Sequence, residues 1–342
     1  MTISRKMLIL LFGILLVFFC IVAGLGLLIF NRSFANSRPT APPLIFPTRS
    51  PTEVSNLVPG VVPLHETPTV PSKSGPMGKI AFVCQIFKTQ AQDQICIINA
   101  DGSGWRRLTE NDKVRSFYPS ITPDGNSVVF SSNSAGNFKL FEISLVGLVS
   151  PLGDTVGYAP EVSPDNKLVV FTNSDGQKEM IWVMDRVGSN LRLLYSDAWD
   201  PTWSPDGTRV LFATHIDDQP QLASIKLDGT DFKAITNIPE LRGRSDWSAD
   251  GMHIVTYAGK SWARELYMLN ADGSNLHQIT PPGGNSQGPS FSPDGQWVAF
   301  TAYYDSIGKN NGCEIYIMKI TGDNLKRLTN NAYCDWQPRW GP

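Results

Sequence analysis

The chain has 342 residues, 42% of them apolar and 18% charged, which describes a folding sequence with room for one large domain or two ordinary ones. Formal net charge is only −2, and Lys and Arg are scattered rather than clustered. The basic footprint of a nucleic-acid binder is therefore excluded, and a partner is not selected by charge alone.

Residues 1–6 read as a short cytoplasmic tail, and residues 7–30, "MLILLFGILLVFFCIVAGLGLLIF", run for 24 positions without a charge. As a helix this stretch is roughly 36 Å long, enough to cross a hydrocarbon core of about 30 Å. One transmembrane helix is predicted. A cleavable signal carries an apolar stretch of only about 7–15 residues, so the reading is an uncleaved anchor, with Ser33 and Ala35 as the residues a peptidase would accept. Cys20 follows the bulky Phe19 rather than the small residue that lipoprotein processing needs, and is read as a buried cysteine of the span. Arg5 and Lys6 before the span and Arg32 and Arg38 after it give little orientation bias. Four cysteines lie beyond it, Cys84, Cys96, Cys313 and Cys334. An even number fits disulfides in an oxidising compartment, which places the body on the extracytoplasmic side of a cell membrane, held by a single-pass anchor.

Residues 31–77 read as a linker, and residues 38–76 alone hold 10 of the 25 prolines. Extended polyproline II over that length reaches on the order of 100 Å, so the anchor holds the body at a distance.

From residue 78 to 342 the chain repeats. "PSITPDGNSVVF" (119–130), "PEVSPDNKLVVF" (160–171), "PTWSPDGTRVLF" (201–212), "SDWSADGMHIVTY" (245–257) and "PSFSPDGQWVAF" (289–300) carry turn aspartates at Asp124, Asp165, Asp206, Asp250 and Asp294, spaced by 41, 41, 44 and 44 residues. That period marks a propeller or a solenoid. In Ser-Pro-Asp-Gly the proline presets the first corner and glycine takes the left-handed one, so the flanking strands fold back as a hairpin. A second hairpin follows in each unit, as in "LYMLNADGSNLHQIT". Four antiparallel strands per unit and no helix signal predict propeller blades.

"GKIAFVC" (78–84) matches the second strand of the repeat, and the terminal "WQPRW" matches a first strand lacking its successors. Five complete units and one assembled from both ends predict an all-β, six-bladed β-propeller, closed by pairing the C-terminal strand with the first blade. Of the three pairings four cysteines allow, 84–96 with 313–334 is preferred, because both bridges fall where the ring closes.

These repeats, with "WSPDG", the phenylalanine ending the next strand and "DGSNLHQIT", resemble the WD-like propeller repeats of the TolB family over about residues 78–342. The resemblance implies a six-bladed propeller of the cell envelope that binds a protein partner near one mouth of its channel. In that family an α/β domain precedes the propeller; here an anchor and linker take its place. Similar repeats also form the propellers of prolyl-oligopeptidase-like enzymes, but no hydrolase domain is read here.

"GNSQG" (284–288) has the Gly-x-Ser-x-Gly form of a nucleophile elbow, which needs a strand before the serine and a helix after it. Ser286 instead falls between "QITPP" and "PSFSPDG" and is read as part of an inter-blade loop. His65 lies in the linker, while His215, His253 and His277 occupy different repeat positions, so no metal set and no cofactor are expected.

Positions that vary between blades are the better candidates for binding. Two residues before the repeat's proline stand Phe117, Tyr158, Trp199, Gly243, Gln287 and Trp336. The four aromatics either form a binding rim or pack between blades, with Trp199 and Trp336 the prime rim candidates. Asp200 and Arg244 precede the proline position, and Glu161, Asp246 and Arg339 follow it. Charges there must either line a wet channel mouth or pair with one another. The expected function is a membrane-tethered, non-catalytic binding or scaffold module for an envelope protein or peptide. The alternative is a cell-surface propeller that binds or acts on carbohydrate.

Overall fold

The computed structural model describes residues 75–85, 92–111, 113–304 and 312–342. The expected transmembrane helix at 7–30 and the linker up to residue 74 lie outside the described residues. Among the described residues no helix is long and apolar enough to cross a membrane.

Six four-stranded antiparallel sheets make up the described chain. Their innermost strands are Asp335–Gly341 in blade 1, Ser116–Ile121 in blade 2, Tyr158–Val162 in blade 3, Ala198–Trp203 in blade 4, Asp246–Trp247 in blade 5 and Gln287–Phe291 in blade 6. Each innermost strand touches those of both flanking blades, so the six close a ring around a central axis.

The second strands read as unbroken apolar runs because each blade is covered on both faces. In blade 4, Val210 and Phe212 pack with Val170, Ile181 and Val183 of blade 3, whereas Leu211 and Ala213 pack with Ile254 and Leu269 of blade 5. The strand's period of two deals successive side chains to opposite neighbours.

The Ser/Thr-Pro-Asp turn, Ser-Ala-Asp in blade 5, repeats with one geometry. Its hydroxyl donates to the aspartate from Thr122, Ser163, Ser204, Ser248 and Ser292 at 2.6–2.7 Å. The turn aspartates are thus engaged within the turn, as their recurrence implies. A second lock explains the recurring Leu-Thr or Ile-Thr at the end of the outer hairpin. Thr109, Thr236, Thr280 and Thr329 each accept from a third-strand amide and donate to Gln94, Gln221, Glu265 or Glu314 at 2.7–2.8 Å.

Ring closure follows the expected register, with Lys79 opposite Gly341 and Cys84 opposite Asp335. Gly78, at φ +91°, admits no side chain: a Cβ there would lie 2.3 Å from the Gly341 carbonyl oxygen. Both disulfides form in the preferred pairing. Cys84–Cys96 ties the second and third strands of blade 1, and Cys313–Cys334 ties blade 6 to the closing strand.

Candidate functional site

One mouth of the channel is shaped by a repeated backbone irregularity. In five blades the residue before the proline has a left-handed backbone: Tyr118 (φ 53°), Ala159 (51°), Asp200 (52°), Gly288 (61°) and Gln337 (53°). Strand registers slip at the same places. These are β-bulges, each adding a residue that turns its strand at the rim. The four non-glycine cases hold a conformation disfavoured by about 1–3 kcal/mol, and residues before proline ordinarily stay extended. Blade 5 departs, with Arg244–Ser245 where the others have a residue and its proline.

The bulge residues meet at the rim. The Tyr118 amide donates to Gln337 Oε1 at 3.0 Å, and the Arg244 amide to Asp200 Oδ2 at 3.0 Å. The Arg244 guanidinium lies 5.5 Å from the Tyr118 ring centroid and donates from Nη2 to the Pro119 carbonyl at 3.2 Å, while its buried Nε has no partner. Burial, with Arg339 nearby, lowers the Arg244 pKa to about 10. Burial likewise raises Asp200, against the pull of Arg244.

Beside this rim a cavity of about 380 Å³ is lined by Arg115, Phe117, Tyr118, Phe138, Tyr158, Glu179 and Trp336. Phe117 stands 5.6 Å from Phe138 and 5.7 Å from Trp336, and Tyr118 stands 5.6 Å from Tyr158, ring centroid to centroid. The Tyr158 hydroxyl donates to Glu179 Oε1. Burial, then that bond and the Glu179 charge, raise the Tyr158 pKa, so it stays a neutral donor. Arg115 lies 4.7 Å over the Phe117 ring and is held by two bonds to Asp93 Oδ2 at 2.7 and 2.9 Å.

Three of the four expected aromatics therefore gather here, with Phe117 also buried in the interface of blades 1 and 2. Trp199 stands apart, its ring 5.1 Å from His215 and its Nε1 donating to the Arg242 carbonyl at 3.4 Å. The repeat alignment missed Tyr118 and Gln337, although both occupy the pre-proline position that exposed Asp200. It missed Arg115, Phe138 and Glu179 because they come from outside the innermost strands.

Glu161, Asp246 and Arg339 lie deeper and pair with one another. Arg339 Nη2 is 2.9 Å from Glu161 Oε2, and Nη1 is 3.4 Å from Asp246 Oδ1. Blades 1, 3 and 5 alternate around the ring, so these side chains meet only by crossing the axis. Glu161 also accepts from Thr202 Oγ1 at 2.8 Å, and Asp246 from Ser290 Oγ at 2.8 Å. Burial raises the Glu161 pKa, while Arg339 opposes it. For Arg339 burial pulls downward, but Glu161, Asp246 and Asp200 outweigh it and the pKa rises. These charges pair through Arg339 and at the same time line a cavity. That cavity is a bowl of about 360 Å³, which the three side chains line together with Pro123, Pro164, Pro205, Pro293 and Pro342. A larger cavity of about 610 Å³ lies against blades 1 and 2, and none of the rim or axial residues named in this subsection lines it.

Ser286 sits in an irregular connection between blades 5 and 6 and is wholly buried, its hydroxyl 3.3 Å from that of Tyr304. His215 faces Asp197 at 3.1 Å and His277 bonds the Asn275 carbonyl at 2.8 Å. Among the described residues no three His, Cys, Asp or Glu side chains gather as a metal site. His65 lies outside them.

A family model described as the TolB beta propeller domain matches residues 64–239. A TolB homolog of Chlorobaculum tepidum is 34% identical over 28% of this chain and 20% of its own length. A Tol-Pal system protein TolB of Francisella tularensis is 38% identical over 25% of this chain and 19% of its own. The matched segments thus span only about a fifth of these relatives. Among solved structures, TolB from Acinetobacter baumannii superposes with a TM-score of 0.69 at 23% identity, over 78% of this chain and 67% of that one. An oligogalacturonate lyase in complex with manganese shares the fold more loosely, with a TM-score of 0.50 at 15% identity over 73% of each chain. The fold by itself does not separate binding from catalysis.

Proposed function

We propose, from the premise that this chain belongs to the TolB β-propeller domain family, that it is a non-catalytic binding module of the cell envelope. It takes a protein or peptide at the mouth built from Tyr118, Tyr158, Trp336, Asp200 and Arg244. The observation that carries this reading is the gathering of aromatic side chains from blades 1, 2 and 3 beside a bulged rim. Two disulfides support an extracytoplasmic body, and the uncharged stretch at 7–30 supports a single-pass tether that the linker extends.

Affinity capture from envelope extract with the full-length chain in detergent tests it, beside a Tyr158→Ala/Trp336→Ala variant of unchanged melting temperature. A protein retained by the first and lost by the second supports the reading. Equal retention by both, or none by either, sinks it.

A carbohydrate ligand is the second reading, favoured by the partly exposed Tyr158 and Trp336 rings, which would stack on a sugar face. Saturable glycan binding on a polysaccharide array, abolished in the same variant, would establish it in place of the first.

A further inference from the structure

We propose that the cavity beside the rim is an aromatic cage for a cationic side chain, a lysine presented by the peptide partner, with Glu179 as its counter-charge. This rests on the reading of that mouth as a protein-binding face and adds the chemistry of what enters it.

Aromatic faces are electronegative, and a cavity walled by several of them favours an organic cation on an apolar stem. Five rings from three blades line this one, and its volume of about 380 Å³ suits one extended side chain and its neighbours. The cage already accepts cations at its margins: Arg115 stacks on Phe117 at 4.7 Å and Arg244 on Tyr118 at 5.5 Å. No such cation lies over Phe138, Tyr158 or Trp336 among the described residues.

The charge balance points the same way. Arg115 lines the cavity, but its two bonds to the buried Asp93 make that pair neutral. Arg244 does not line the cavity, and the Asp200 carboxylate that accepts from its backbone amide also acts on its charge. Glu179 is the remaining charge, and its bond is to the neutral Tyr158 hydroxyl. Both Glu179 and Asp200 act on Tyr118 and Tyr158, the wall nearest the rim. A lysine entering between Tyr158 and Trp336 would place its ammonium against Glu179 and its methylenes against the rings, whereas an acidic side chain would meet Glu179 and the ring faces unfavourably.

The test titrates the full-length protein in detergent with three probes, read by calorimetry: a lysine-centred acetylated pentapeptide amide, the same peptide with norleucine for lysine, and choline. The lysine peptide is expected to bind about tenfold tighter than the norleucine peptide, to lose that advantage in Glu179→Gln, and to weaken as salt is raised. Should Glu179→Gln fail to fold, the norleucine comparison and the salt dependence on the natural protein still decide. Equal binding of the two peptides, no saturable binding by the lysine peptide, or binding of choline alone would overturn the proposal. Partner capture lost in Tyr158→Ala/Trp336→Ala together with a norleucine peptide equal to lysine would leave the binding face standing and remove only the cage.

Discussion

Arg339 on the last strand of the chain places its Nη2 2.9 Å from Glu161 Oε2 on blade 3, 178 residues earlier in the sequence. Its Nη1 reaches Asp246 on blade 5, so one arginine bridges two carboxylates across the axis. Removing one partner of a buried pair leaves charge without compensation and costs about 3–5 kcal/mol. Arg339→Met is therefore expected to lower the unfolding free energy by about that amount at pH 8. Burial raises the Glu161 pKa above its ordinary value. With the folded pKa raised, the folded state binds the extra proton, so stability is higher at low pH and declines as pH rises through the shifted value. The deficit of Arg339→Met is accordingly smaller at pH 5 than at pH 8, in urea unfolding followed by fluorescence. A deficit unchanged with pH would contradict the role of the carboxylates.

Asp335 begins the closing strand and is 1% exposed. Burial first, and the nearby Glu314 second, push its pKa up from 3.8 to about 7. Between those values the folded chain holds a proton that the unfolded chain has released, so stability falls across that window as pH rises and levels off above it. Asp335→Asn removes this slope. The variant is expected to gain on the order of 2–4 kcal/mol relative to the natural protein between pH 4 and pH 8, read as the difference between their melting curves.

Gly78→Ala tests the ring closure from the other end of the chain. The new Cβ meets a backbone oxygen and the position requires a positive φ, so a loss of about 2–4 kcal/mol is expected. A variant as stable as the parent would mean that this junction does not close as described.

Reduction tests the two bridges. They close loops with sequence separations of 12 and 21, each of which constrains the unfolded chain by about 3 kcal/mol on a chain-entropy estimate. Adding dithiothreitol is expected to lower the melting temperature, and peptide mapping without reduction should recover 84–96 and 313–334 linked. A free thiol at Cys334 would be incompatible with this.

The architecture was legible because the repeat is written in turn chemistry: Asp124 through Asp294 sit where a hydroxyl two residues earlier must find an acceptor. The closing strand was legible for the same reason, since Pro338 and Trp340 continue the register of Pro201 and Trp203. The site was legible only in part. Phe117, Tyr158 and Trp336 share a repeat position and were found together, but Trp199 shares it too and packs on His215 instead. Glu179 and Phe138 come from third strands, and only the curvature of the ring brings them beside the rim. Whether Glu161 and Asp246 face water or Arg339 was equally hidden, because a contact across the axis joins blades that no sequence period relates.

The direct measurement of which face binds is photo-crosslinking in membranes. Benzoylphenylalanine is placed at Tyr158, in the aromatic cavity, or at Ala249, on the exposed rim of the opposite bowl. Crosslinks to a discrete protein band from position 158 and none from 249 are the expected result. A band from 249 alone, or none from either, would contradict a binding face at the aromatic mouth.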